Sequence, residues 1–292
     1  NHHNLIIMDY VKINLIGHDN VLMRSYIYFL KEMKYDFSIV LLPIFHKKNK
    51  KLNKITPITK SNSLESYYSK INLKIPRTFW NDQKINNLLL NYFEKNYEIN
   101  VNGYKDLLSK DLRDISQINN IEFLYAKKFN ITSLEDINFS SYEGMFLNTS
   151  SFIYTDKLIQ NLNNNIYHVH PGYLPELKGA DGIFWSIKNY KKIGMSLFKM
   201  NKNIDEGDIY FRKYFDFFSF QNDNLLSLNF QDKYNFILST LDPILRGFFF
   251  KKYGIQSFKK LDLIDNYSGN YYTFMTKGEL GKTFQTIFKK SI

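Results

Sequence analysis

Two short stretches decide the fold and the chemistry of this chain: YHVHPGYLPELKGADGIFWSI at residues 167–187 and NIDEGDIY at residues 203–210. His168 and His170 stand two residues apart at the end of a β-like run, so their side chains point to the same side of a strand. In parallel α/β sheets, ligands bind beyond the carboxyl ends of the strands. Asp205 follows after one further predicted strand, in a turn that can return its carboxylate to the imidazoles. An Asp beside a His is a typical proton-transfer pair.

Other functions of two histidines and an acid are less well supported. A zinc site needs a further neutral ligand, and His18 and His46 are far away in the sequence. A hydrolase triad needs a nucleophile, and no G-x-S-x-G elbow is present. A purely structural role for one turn histidine would be ordinary, but it accounts poorly for the whole set. The pattern therefore favours a catalytic site without a metal.

Composition limits the class of protein. The chain has 292 residues, 44% hydrophobic and 23% charged, which is ordinary for a globular protein with a sizeable core. It has no cysteine, which excludes disulfides, thiolate nucleophiles and Cys-based zinc sites. No apolar run approaches a membrane span of about 20 residues. The net charge of +11 favours anionic ligands, but without an Arg-rich arm it gives little support for nucleic acid. These features fit a cytoplasmic protein with no membrane partner.

Hydrophobic periodicity predicts an α/β fold. A β-branched run at 11–16, a turn with Asp19 or Asn20 as N-cap, an amphipathic helix at 21–34 and an apolar run at 37–42 form a parallel βαβ unit. Further strands are predicted at 122–126, 144–148, 166–170, 195–200 and 209–217. Further helices are predicted at 80–97, 134–137, 155–162, 179–190 and 225–252. The expected fold is a Rossmann-like, mostly parallel sheet of about seven strands flanked by helices, with a small C-terminal extension.

The same pattern suggests two regions. Residues 1–218 form the predicted catalytic α/β domain, with a helical and loop insertion around 46–118. Residues 219–292 form a C-terminal helical and mixed extension. The lone Gly17 after the first strand is not a dinucleotide-binding fingerprint.

The segment HVHPGYLPELKGADG followed by IDEGD resembles the core of the folate-dependent formyltransferases. His170-Pro171 and Leu174-Pro175 fill the first part of the family pattern, and Asp205-Glu206-Gly207-Asp208 fills the last. Lys178-Gly179 stands where the family often has Arg-Gly. The likeness extends more weakly over most of residues 10–218. One position departs from the pattern, because His168 occupies the place of the family's catalytic Asn, whose amide helps to bind the formyl oxygen.

The resemblance implies formyl transfer from N10-formyltetrahydrofolate to a primary amine, with no metal. It implies catalytic roles for His168, His170 and Asp205, with an imidazole stabilising the oxyanion and Asp205 relaying the amine proton. The loops that hold the folate would contain Asn148, Thr149, Ser150, Ile204 and Asp208. Substrate-side candidates are Tyr173, Lys178 and Trp185, although helical spacing also suits Trp185 for core packing and Asp208 suits a bond within its own loop.

Resemblance to particular branches of the family suggests which amine is the substrate. The HPGY turn, the Gly-Ala-Asp-Gly-x-x-Trp segment and SGNYYTFM at 268–275 look most like the enzymes that formylate nucleotide-linked amino sugars for surface polysaccharides such as O-antigen. We expect a dTDP-4-amino-4,6-dideoxyhexose and a homodimer. The 74 residues after 218 are fewer than the tRNA-binding barrel of methionyl-tRNA formyltransferases needs. That enzyme, and a non-catalytic binding protein of the same fold, are the alternatives.

Overall fold

A seven-stranded sheet forms the centre of the molecule in the computed structural model, which describes residues 11–42, 78–123, 135, 139–150, 153–255 and 269–291. Its strands are β1 (Ile13–Gly17), β2 (Phe37–Leu41), β3 (Ile118–Phe123), β4 (Met145–Asn148), β5 (Ile166–His170), β7 (Lys192–Lys199) and β8 (Ile209–Asp216). A short strand outside this sheet, β6 (Leu177–Gly179), lies between β5 and β7 in the chain. The order across the sheet is β3-β2-β1-β4-β5-β7-β8. The first five strands are parallel, and β7 is antiparallel to β5 and β8. The predicted fold class and strand number are confirmed.

The direction of winding reverses between β1 and β4. From β1 the chain adds β2 and β3 on one side and later adds β4 and β5 on the other. Ligands in such sheets bind beyond the carboxyl ends at this reversal. Every residue of β1 and β4 is buried, as expected for central parallel strands. Gly17 ends β1 so close to the next loop that an added Cβ would lie 2.3 Å from the Thr149 hydroxyl oxygen.

Helices cover the sheet and fill the C-terminal part. They are α1 (Val21–Glu32), α2 (Thr78–Asn81), α3 (Gln83–Tyr97), α4 (Tyr104–Ser109), α5 (Asp156–Asn161), α6 (Gly182–Tyr190), α7 (Asp223–Leu226), α8 (Phe230–Ser239), α9 (Leu241–Phe249) and α10 (Lys277–Ile287). A 3-10 turn (Leu112–Asp114) precedes β3, and a π turn (Phe250–Gly254) continues α9. Three further short strands are β9 (Phe220–Gln221), β10 (Asn270–Tyr272) and β11 (Phe288–Lys289). β10 pairs in parallel with β6, and β11 with β9.

Several predicted helices have different ends. The helix predicted at 80–97 is divided because the Asp82 side chain accepts the backbone N–H groups of Lys84 and Ile85, which starts α3. The helix predicted at 225–252 is divided into several pieces, and one break falls where Asn229 caps α8. Pro243 does not break α9, because it lies in the first turn, where its missing N–H costs no hydrogen bond.

Other predicted helices and strands also begin or end at different residues in the structure. The helix predicted from residue 179 starts at Gly182, because residues 177–179 pair with β10 instead. The strand predicted at 122–126 starts earlier, at Ile118, and 124–126 lie outside the described residues. The helix predicted at 134–137 is outside them except for residue 135, as are residues 46–77 of the predicted insertion. At the start of α1, Asn20 is the N-cap, while Asp19 forms a buried ion pair with Arg24.

One hydrophobic cluster contains residues from both sides of position 218. The indole N–H of Trp80 donates to the backbone oxygen of Ser239 at 3.0 Å, and the Ser25 hydroxyl donates to that of Pro243 at 2.6 Å. Tyr26 packs edge-on against Phe250 with ring centroids 5.7 Å apart. The described C-terminal helices are therefore packed into the same core as α1. Within the described ranges, no helix combines the length and the hydropathy that crossing a membrane requires.

Candidate active site

A cavity of about 250 Å³ opens at the carboxyl ends of β4 and β5. Asn148 and Ser150 line it from the end of β4, and His168 and His170 line it from β5. Other walls come from residues 201–205, from Asp181 and Gly182 at the start of α6, and from Arg246 on α9. Both motifs singled out in the sequence therefore meet at one cavity.

His170 is held by contacts on both ring nitrogens. The ring is 3% exposed. Its Nε2 lies 2.9 Å from the backbone oxygen of Leu177, an acceptor, so Nε2 donates a proton there. Its Nδ1 lies 3.5 Å from Oδ2 of Asp205. A Cβ added to Gly172 would lie 2.6 Å from Nε2, so glycine at this turn leaves the space that the imidazole fills.

Asp205 is positioned by its own backbone and by β6. Its φ of 54° lies in the left-handed region, which Asp tolerates better than most residues. Oδ2 accepts the backbone N–H of Gly179 at 2.8 Å. The loop packs tightly, because a Cβ on Gly207 would lie 1.6 Å from the backbone oxygen of Lys199. β6 thus contacts both members of the pair: Leu177 holds His170 and Gly179 holds Asp205.

His168 lies between Phe198 and Asn148. Its ring is edge-on to Phe198, with centroids 5.9 Å apart, and its Nδ1 lies 3.5 Å from the amide nitrogen of Asn148. Burial lowers the pKa of His168 well below 6.5, and the nearby charges of Arg246 and His170 lower it further. A neutral imidazole at physiological pH can accept a proton as well as donate one.

The lowered pKa of His168 predicts a pH-dependent stability. Below about pH 6.5, His168 binds a proton in the unfolded chain but not in the folded protein. Acidification therefore lowers the free energy of unfolding. Between about pH 7.5 and about pH 5.5, we expect urea denaturation to show a steeper loss for the wild-type chain than for His168→Asn. The difference approaches at most about 1.4 kcal/mol per pH unit. Equal slopes in the two proteins would contradict a lowered pKa of His168.

Asn148 is the centre of a small polar network. Its Oδ1 accepts the backbone N–H of Ser150 at 2.8 Å, the Ser150 hydroxyl at 2.8 Å and the Tyr154 hydroxyl at 3.1 Å. Its amide nitrogen is 3.4 Å from the backbone oxygen of Ser150. Thr149 does not line the cavity. Its hydroxyl donates to the backbone oxygen of Ile16, and its own backbone oxygen accepts from the Asn20 side chain, so it joins this loop to β1 and α1.

The other predicted site residues differ in whether they line the cavity. Ile204 lines the cavity and is 42% exposed. Asp208 is exposed, and its backbone oxygen accepts the backbone N–H of Lys199, the last residue of β7. Lys178 is buried with its amine 3.3 Å from Glu206. Tyr173 stacks on Tyr214 with centroids 4.1 Å apart. The Trp185 indole donates to the backbone oxygen of Thr273 at 2.9 Å. The last four are not among the residues that line the cavity.

Arg246 was not predicted from the sequence. It lines the cavity from α9, and its Nε donates to Oδ1 of Asp242 at 3.1 Å. Burial raises the pKa of Asp242, and the Arg246 charge opposes that change. The sequence did contain a signal, because Asp242 and Arg246 are charged residues four positions apart in the apolar segment LDPILRGFF. Burying charged groups in a helix is costly unless they are paired.

The C-terminal strand β10 covers the loops that carry the site. The Tyr272 backbone oxygen accepts from Ala180, and the Tyr271 hydroxyl donates to the backbone oxygen of Ile204 at 3.0 Å. The Asp181 side chain accepts from the Met275 backbone and from the Tyr234 hydroxyl. In the part of the chain that the structure covers, no cluster of three or more His, Asp or Glu side chains could hold a metal ion.

Residues 139–235 match the family model described as "Formyl transferase". The matched segment contains His168, His170 and Asp205 and covers about a third of the chain. The resemblance to formyltransferases predicted from the sequence is confirmed over this segment. No curated protein matches the sequence.

Solved formyltransferase structures can be superposed on the chain. One is a 4-N formyltransferase from Francisella tularensis, at 17% identity over 94% of this chain and 86% of that one, with a TM-score of 0.45. A sugar N-formyltransferase from Shewanella sp. covers 90% of this chain and 77% of its own at 13% identity and a TM-score of 0.42. A methionyl-tRNA formyltransferase from Clostridium thermocellum covers 91% and 73% at 10% identity and a TM-score of 0.40.

Proposed function

We propose that the protein transfers the formyl group of N10-formyltetrahydrofolate to the primary amine of a nucleotide-linked amino sugar. The observation that carries the proposal is the His170–Asp205 pair, 3.5 Å apart, in a cavity to which the formyl transferase segment contributes both residues. The cavity has apolar walls from Ile153, Phe198 and Met200 and polar edges from Asn148 and Ser150. Such walls suit a flat heteroaromatic ring with amide groups on its edge, as in a pterin.

The reaction needs a proton acceptor and a donor to the carbonyl oxygen, but no covalent intermediate with the protein. The amine nitrogen attacks the formyl carbon, the carbonyl oxygen takes up negative charge, and the bond from that carbon to N10 then breaks. One amine proton leaves and N10 gains one, so the overall change is the exchange of a formyl group for a hydrogen. The positioning of both reactants in the cavity contributes alongside these groups.

The Asp205–His170 pair is suited to relay that proton. Since Leu177 takes the Nε2 proton, a hydrogen bond between Nδ1 and Oδ2 requires one further proton between His170 and Asp205. The Gly179 N–H stabilises charge on the same carboxylate oxygen. Neutral His168 lies in the same cavity and is the second group able to accept a proton.

The sugar is proposed on the motif likeness of HPGY, the Gly-Ala-Asp-Gly-x-x-Trp segment and SGNYYTFM. In the structure the last of these contacts the cavity loops, because Tyr271 bonds to Ile204 and Met275 to Asp181. A segment so placed is able to contact the amine substrate as well. The excess of basic residues suits the diphosphate of a nucleotide-linked sugar.

The test is a formylation assay with the purified full chain. N10-formyltetrahydrofolate is supplied with dTDP-linked and UDP-linked 4-amino and 3-amino dideoxyhexoses, and in a parallel series with methionyl-tRNA. We expect a formamido sugar, detected by mass spectrometry, and no formylated tRNA. Formylation of the tRNA alone would replace the sugar in this proposal. Formylation of neither amine, with no measurable folate binding, would overturn it.

A further inference from the structure

The carbonyl oxygen needs a hydrogen-bond donor, and His170 does not offer one to the cavity. Its Nε2 is directed at the Leu177 backbone oxygen and its Nδ1 at Asp205. Negative charge that develops on a carbonyl oxygen is stabilised best by donors already oriented before the reaction. A suitable donor is a cavity-lining side chain whose N–H is fixed in direction but makes only long contacts.

Asn148 meets this requirement. Three donors occupy its Oδ1 at 2.8, 2.8 and 3.1 Å. An amide oxygen that receives three hydrogen bonds fixes which end of the side chain is oxygen, so Nδ2 must face the other way. The described contacts of Nδ2 are both long, at 3.4 Å to the Ser150 backbone oxygen and 3.5 Å to His168 Nδ1. The amide thus retains most of its capacity to donate.

The sheet register directs this amide towards the reacting groups. Leu147 pairs with Tyr167, which places Asn148 beside His168 on the adjacent parallel strand. Asn148, His168 and His170 all line the same cavity. Because strands hold side chains more precisely than loops do, an amide at the end of β4 is well placed to meet a carbonyl bound there.

We infer that the amide nitrogen of Asn148 donates a hydrogen bond to the formyl oxygen, and that this bond strengthens as the oxygen becomes negative. Asn148 then acts on the formyl oxygen rather than on the pterin, which makes it a catalytic residue. The inference rests on the proposed function, since it assumes a bound formyl group. Ser150 and Tyr154 are positioning residues that fix the amide from its oxygen side.

Arg246 is the competing donor in the cavity. Its guanidinium is also part of the wall, but its Nε is engaged by Asp242. Its charge acts on His168, whose pKa it helps to lower. The side chain reaches the cavity from α9, outside the sheet. Variants of the two residues separate the two donors.

Asn148→Asp is the sharpest variant, because it keeps an oxygen for Ser150 and Tyr154 and replaces the donating nitrogen by an oxygen. We expect kcat to fall by about 10²–10³-fold. The Kd for tetrahydrofolate, which has no formyl group, should change less than about twofold. Tyr154→Phe removes one of the three positioning bonds and should lower kcat by about tenfold or less.

A spectroscopic measurement tests the same bond without turnover. A hydrolysis-stable 10-formyl folate analogue with a ¹³C-labelled formyl carbon is bound to each protein. In the wild-type complex, the infrared carbonyl stretch should move to lower wavenumber than in the free analogue. In the Asn148→Asp complex this shift should be lost, while Arg246→Gln should retain it.

The outcomes separate this inference from the proposed function. If the wild-type protein formylates an amine but Asn148→Asp keeps both its kcat and the carbonyl shift, the inference is wrong. It is also wrong if Arg246→Gln alone removes the shift, or if Asn148→Asp weakens tetrahydrofolate binding as strongly as it lowers turnover. A wild-type protein that binds the analogue with the shift but formylates no amine would sustain the hydrogen bond and overturn the proposed function.

Discussion

Replacement of Asp205 by asparagine is expected to lower kcat about 10²–10⁴-fold, the usual contribution of a positioned acid or base. Asparagine has nearly the same shape, and its oxygen can still accept the Gly179 N–H that Asp205 accepts at 2.8 Å. The variant loses the negative charge 3.5 Å from His170 and the capacity to take the amine proton. Folate binding, measured by titration with tetrahydrofolate, should change little.

The matched control is Asp216→Asn. Asp216 ends β8, is exposed and is not among the residues that line the cavity, so its replacement should leave turnover unchanged. Thermal denaturation of both variants separates a chemical loss from a folding defect. Full activity in a folded Asp205→Asn protein would show that the site has been assigned to the wrong acid.

Replacement of Trp80 by alanine is expected to lower the free energy of unfolding by about 3–5 kcal/mol, as large-to-small changes of buried aromatic residues do. Trp80 is fully buried, with its ring 4.8 Å from that of Tyr104. Its N–H satisfies the backbone oxygen of Ser239, which the variant would leave without that donor. Such a loss is a large part of the 5–15 kcal/mol that stabilises a typical domain.

Urea denaturation measures this effect, with Phe274→Ala as control. Phe274 is 73% exposed, so the same kind of truncation should change stability by less than about 0.5 kcal/mol. A loss below about 1 kcal/mol for Trp80→Ala would contradict the packing of α2 against α8. A single cooperative transition is expected, because Trp80 and Ser239 lie on opposite sides of residue 218 in the chain and in one core.

The sheet was predictable because its strands carry their own signal. β1, β2 and β4 are short apolar runs bounded by turn residues, and β5 ends at the two histidines, so alternation of strand and helix was visible locally. The ends of helices were harder to predict. The break at Asp82 depends on one side chain accepting two backbone N–H groups, and a continuous helical pattern of apolar residues does not reveal it.

The residues of the candidate site could be predicted to lie together where they are close in the chain, and less so elsewhere. His168, His170 and Asp205 belong to two motifs separated by one strand. Arg246 comes from a helix whose apolar pattern indicates core packing, and only the fold brings it to the cavity. The orientation of the Asn148 amide depends on Tyr154 and Ser150 together, and no sequence spacing specifies which end of an amide faces a ligand.

Because Arg246 comes from α9, the cavity extends beyond residues 139–235, the segment that matches the family model. A chimera that received only residues 139–235 from a relative would exchange His168, His170 and Asp205 for the relative's residues, together with their loops. It would keep the recipient's guanidinium and the β10 strand that holds β6. Exchange of this segment alone would therefore combine cavity residues from two different proteins. A segment that ends after residue 275 would transfer the described cavity residues and β10 together.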